Sequence, residues 1–106
     1  MFHRMDLLVR IKRAVINGRI FFTQKATEER KRDDLTEEEV REAIINAPGI
    51  FKSIRSMSPL RRKRKEMLHV IYGTTFTGIV IYTKGKLVVE GGIETYYVCV
   101  SAKRSE

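Results

Sequence analysis

The order of elements, helix, strand, helix, helix and then a run of strands, constrains the fold more than any other feature. Apart from the short run Ile20-Phe21-Phe22, the apolar residues up to about residue 47 recur at helical spacing; from about residue 50 they alternate. Residues 4–17 place Leu7, Leu8, Ile11, Ala14 and Val15 on one stripe, with Arg10, Lys12 and Arg13 away from it. Gly18 stands where a left-handed C-cap belongs. Arg19-Ile20-Phe21-Phe22 reads as a short strand. Thr23 then offers an N-cap for a helix over about 24–33 that is polar nearly all round and must borrow stability from its neighbours. Thr36 and Glu39 spell a capping box for a helix over 37–47, with Val40, Ala43, Ile44 and Ala47 on one face and Pro48-Gly49 at its end.

The second half is written as strands, over about 50–56 and then from Met67 to Tyr72. Gly73 to Gly78 is a predicted turn and Ile79 to Thr83 a strand. Lys84-Gly85 has the look of a hairpin tip, with Lys86 to Glu90 returning and Gly91-Gly92 a further break. In the last strand, 95–102, Tyr96, Val98, Val100 and Ala102 point one way. Thr95, Tyr97, Cys99, Ser101 and Lys103 point the other, and this half-polar set is expected on an open or ligand-facing surface. Helices followed by consecutive strands predict an α+β fold: an antiparallel sheet of about four to five strands with helices packed on one face. The length fits one domain, 1–106, with an N-terminal helix over 1–18 and a core over 19–104.

Charge points to a partner. The chain carries a net charge of +8 and a pI near 9.9, and the two signs are segregated. Residues 28–42 hold eight acids and four bases, whereas residues 50–72 hold seven bases and one acid. Five of those bases are consecutive, Arg61-Arg62-Lys63-Arg64-Lys65, and run into the Met67 strand. Adjacent cations repel one another, and fold stability does not ask for them, so a polyanion is the sharper reading and a solvated loop the plain one. Arg61, Arg62, Lys63, Arg64 and Lys65, with Lys103 and Arg104, are the candidate nucleic-acid contacts. Cys99 is the only cysteine, which favours a reducing compartment. Arg10, Lys12 and Arg13 interrupt Leu7-Leu8-Val9, so the start does not read as a secretory signal, and no apolar stretch approaches a membrane span. The expectation is a soluble cytoplasmic protein.

Several chemistries can be set aside on spacing. Gly91-Gly92 lacks the strand-to-helix context and the lysine of a phosphate loop, His3, His69 and Cys99 lack metal-ligand spacing, and the serines lack a His and Asp pair. No metal or cofactor is expected. Metal-free chemistry on RNA remains, in which the 2′-hydroxyl attacks its own phosphorus. It needs a base, cations for the developing charge and an acid for the leaving oxygen. Arg61, Arg62, Arg64, His69, Tyr82, Tyr97, Lys103 and Arg104 are candidates. Each has a plainer reading: a half-buried histidine beside Met67 and Ile71, packed strand tyrosines, a charged tail.

The element order, with Phe22-Thr23-x-x-Ala26 followed by Leu35-Thr36-x-x-Glu39-Val40, resembles a group of small bacterial proteins of unassigned function. That group carries a Thr-x-His-Ala helix start and is related to RelE/ParE-like and BrnT-like toxins. The ending Tyr97-Val98-Cys99-Val100-Ser101-Ala102-Lys103-Arg104 is similar to its last strand. The resemblance spans about 19–104. Lys25 stands at the position of the group's His, Glu29 and Arg30 at that of its Arg and Met, and Asp33-Asp34 at that of its Arg-Gly pair. It implies a RelE-like fold and a toxin-like ribonuclease acting on RNA, on the ribosome in some relatives, with an antitoxin as partner and Lys25 in the site. The alternatives are a non-catalytic binding module for nucleic acid or an acidic protein, and a homodimer formed through the last strand's edge.

Overall fold

The computed structural model describes residues 4–55 and 66–105. The first half folds as its capping signals dictate. Helix α1 (Arg4–Ile16) ends in a Schellman turn: Gly18, at φ 76°, donates to the Val15 carbonyl and Arg19 to that of Ala14. Strand β1 (Ile20–Phe22) follows, and Thr23 caps α2 (Gln24–Arg32) by accepting from the Ala26 amide. The capping box is formed in both directions at the start of α3 (Glu37–Asn46). Lys12 closes the other end of α3 by donating to the Ala47 carbonyl at 2.6 Å. No helix among the described residues is long and apolar enough to cross a membrane.

The strands are β2 (Lys52–Arg55), β3 (Met67–Thr74), β4 (Val80–Glu90) and β5 (Ile93–Arg104), in the spatial order β1-β5-β4-β3-β2. The α+β class holds, but the sheet is mixed rather than antiparallel: β1 pairs parallel with β5, with Ile20 opposite Tyr97 and Phe22 opposite Cys99. Ile11, Val15, Val40 and Ile44 from α1 and α3 meet Ile71, Ile81, Tyr97, Cys99 and Ala102 from the sheet in one buried cluster. The helices come very close there. A β-carbon on Gly73 would overlap the Ala43 carbonyl of α3, so only glycine serves at that point of β3.

Several boundaries differ from the sequence reading. Ile50 joins the core ahead of β2, and β3 runs to Thr74, past the glycine that α3 requires. Lys84-Gly85 is not a hairpin tip. The β4 backbone passes straight through it, and the reversal falls at Gly91-Gly92, both in the left-handed region at φ 60° and 78°. Gly85 is small because the Tyr97 ring lies against it.

Up to Cys99 the two faces of β5 are the other way round, whereas Ser101 and Lys103 lie on the open side as expected. Tyr97, Cys99 and Ser101 are buried, the first two beneath the helices. The register with β4 shifts between Lys84 and Gly85, opposite Ser101 and Cys99. Beyond that bulge Ala102, paired with Thr83, is buried as well. The surface left open is the one carrying Tyr96 and Val98.

Helix α2 solves a problem that β1 creates by being short. β5 continues past Phe22 with an unpaired edge, which is a template for adventitious strand addition. Glu29 Oε1 accepts from the Ala102 amide at 3.1 Å and from Ser101 Oγ at 2.6 Å, and Asp33 Oδ2 accepts from the Arg104 amide at 2.8 Å. Two carboxylates thus take the acceptor places that a neighbouring strand would have filled. Glu29 is buried for this reason, and Arg30, also buried, donates to the Leu35 carbonyl at 2.8 Å and lies over the Phe22 ring.

Candidate nucleic-acid interface

Residues directly opposite one another in a sheet share a face, so the open side can be read row by row from the register. One row crosses β3, β4 and β5 as Tyr72, Tyr82 and Lys103. Phe51, just before β2, extends it. Its ring meets Tyr72 edge-on at 5.2 Å between centroids, Tyr72 meets Tyr82 at 5.5 Å, and Lys103 Nζ lies 5.4 Å from the centre of the Tyr82 ring. That last distance is within cation–π range. The next row is Lys52, Val70, Lys84 and Ser101.

Helix α2 borders this face. Lys25 is exposed and pairs with Glu29 at 2.9 Å. Burial pushes the Glu29 carboxyl up, but the Ser101 hydroxyl, the Lys25 ammonium and the Ala102 amide outweigh it and hold it below the ordinary value. Burial raises the Tyr82 hydroxyl, with Tyr72 adding to the effect and Lys25 opposing it. Tyr82 is therefore a protonated donor at neutral pH, suited to giving a hydrogen bond or a proton rather than taking one.

The structure sorts the sequence candidates. Tyr82 and Lys103 meet on this face, and Lys25 stands at its α2 border, paired with Glu29. Arg104 is exposed but tied to the helix edge, its Nε donating to the Asp33 carbonyl at 2.9 Å. Tyr97 is fully enclosed, and burial raises its hydroxyl well above the ordinary value, so it reaches no substrate. His69 lies on the helix side of β3, 7% exposed, with Nδ1 2.8 Å from Ser53 Oγ. It is separated from the tyrosine row by the thickness of the sheet. Arg61, Arg62, Lys63, Arg64 and Lys65 lie outside the described residues.

Phe51, Tyr72, Lys52 and Lys84 were not singled out in the sequence. A signal for two of them was present. Tyr72 with Tyr82, and Val70 with Lys84, are each centred on Thr77, so a hairpin folded about that residue aligns both pairs. Comparison with protein-family models, curated proteins and solved structures returned no match for this chain.

Proposed function

We propose that this is a nucleic-acid-binding protein of the RelE/ParE-like toxin type, which holds RNA on the open face of its sheet. The observation that carries the reading is the in-register row of Tyr72, Tyr82 and Lys103 beside the lysines of the next row. Aromatic faces and ammonium groups on one platform are what a base and its phosphate require together. The surplus of positive charge supports it. Two features support the toxin-type arrangement: helices precede the run of antiparallel strands, and Asp34, where the resembling group has glycine, holds the left-handed φ of 57° that a glycine would adopt. In this reading an antitoxin would neutralise the protein by covering the same face.

Titration of labelled RNA, followed by fluorescence anisotropy at several salt concentrations, tests the proposal. Affinity should fall steeply with salt and fall again in Lys84→Gln and Lys103→Gln. No binding at low salt would end it.

Cleavage is a second reading, carried by one observation: the protonated Tyr82 carries the Lys103 ammonium over its ring at 5.4 Å, with the charge of Lys25 near enough to act on its hydroxyl. There it could protonate a leaving 5′-oxygen while the lysines offset the charge building on phosphorus. RNA incubated with the protein in chelator should be cut by the wild type and far more slowly by Tyr82→Phe. Equal cutting by both would remove Tyr82 from the chemistry.

A further inference from the structure

The open face carries two kinds of row, and their spacing speaks to the form of nucleic acid it takes. Phe51, Tyr72 and Tyr82 form an aromatic row whose neighbouring rings meet at interplanar angles of 88° and 70°. Rings set edge to face cover one another only in part, although Lys103 already lies over the Tyr82 ring. Phe51 is 62% exposed. The cationic row, Lys52 and Lys84 on either side of Val70, is two residues along the strands, or about 7 Å away at strand rise. Lys52 and Lys84 stand on strands two apart, roughly 10 Å between backbones. Val70 between them is buried, so this row offers a ligand its two lysines and no apolar floor. Glu29, the carboxylate that meets this row at Ser101, is already committed to Ser101, Ala102 and Lys25.

We infer that this face takes a single strand in preference to a duplex, with bases against the aromatic row and phosphates along the lysine row. This rests on the nucleic-acid reading above and narrows it. In a duplex the base faces are stacked on one another, so a duplex could use the lysines and leave the rings idle. A single strand uses both rows, and the step from one row to the other matches the offset of a base from its own phosphate. The contacts are to ring faces and charge, so the site is tolerant of sequence.

The test compares a short single-stranded RNA, a single-stranded DNA and a duplex of the same sequence with the whole chain. Single strands should bind at least tenfold more tightly than the duplex. The chain has no tryptophan, so its intrinsic emission comes from tyrosine and should be quenched by single strands and not by the duplex. Tyr72→Leu with Tyr82→Leu should weaken single-strand binding by about tenfold or more while leaving the salt dependence alone. Lys52→Gln and Lys84→Gln should each lower the logarithmic salt slope by about 0.7. Equal or tighter duplex binding, or wild-type binding without tyrosine quenching, overturns the inference and leaves the nucleic-acid reading standing. Failure of every nucleic acid to bind removes both.

Discussion

Tyr97 occupies the space that a side chain at position 85 would need: a β-carbon on Gly85 would stand 2.6 Å from Cζ of Tyr97 and 2.5 Å from the Val98 carbonyl oxygen. Neither obstacle is a flexible chain end. One is a fully buried ring and the other is backbone, and both belong to β5, the strand on which β1, β4, α1 and α2 converge. Gly85→Ala is expected to destabilise the protein by about 3 kcal/mol, the upper range for overpacking. Urea unfolding measures it. Tyr97→Leu in the same background should recover only part of the loss, because the Val98 carbonyl does not move.

The same ring carries a hydroxyl that is buried and has no hydrogen-bond partner. An unpaired buried hydroxyl costs free energy that a hydrogen atom in its place would not. Tyr97→Phe should therefore raise stability by about 1 kcal/mol and leave RNA affinity as it was. A lower melting temperature would mean that the hydroxyl holds a bridging water, and lost binding would return Tyr97 to the site.

Acid should loosen the α2 edge. The Glu29 carboxyl is held below the ordinary 4.5 in the folded protein. Its contribution is thus fully present above that value and is lost as pH falls through the folded value. Glu29→Gln keeps the size and removes the charge, and should cost about 2 kcal/mol at pH 7 while flattening the stability profile below pH 4.5. Thermal melts of both proteins between neutral pH and pH 3 check this. An unchanged acid profile in the variant would show that another carboxylate governs acid sensitivity.

Cys99 should behave as a reporter of global opening. Burial pushes its thiol up to about 12, and the side chain donates to the Ser101 carbonyl at 3.2 Å. At pH 8 almost no thiolate is present, and no reagent can reach it in the folded state. Labelling by a thiol reagent should track the unfolded fraction across a urea titration. Fast labelling of the native protein would place Cys99 at a locally opening edge.

What the sequence disclosed, and what it did not, divides by range. Capping signals are local: Thr23, Thr36 with Glu39, and Gly18 each placed a helix end within a residue or two. Alternation located the strands. What escaped were facts set by partners far along the chain. Nothing near Ile20 tells that β1 will lie parallel to residues 97–99, and a three-residue strand has too little pattern to declare its direction. In the sequence Gly85 reads as a turn residue, because the ring that demands a glycine is contributed by Tyr97 in the next strand. The faces of β5 are exchanged only up to Cys99, where a tyrosine and a thiol that could serve an open surface are buried in the core; past the bulge Ser101 and Lys103 lie on the open side as expected. The site suffered likewise. Tyr82 and Lys103 were chosen one at a time by side-chain chemistry, and only the pairing register made them neighbours.

The placement of β5 has a consequence for how the molecule comes into being. β1, α2, β4 and α1 all precede in the chain the strand they dock on. Helix α3 can already pack on β3 and β4, but β1 and α2 have no platform and must stay unsettled until residues 93–104 emerge. Closing β1 against β5 then spans most of the chain, a high-separation contact that slows folding relative to a helical bundle of the same size. The nascent protein is therefore most exposed to aggregation and to chaperones just before β5 is released.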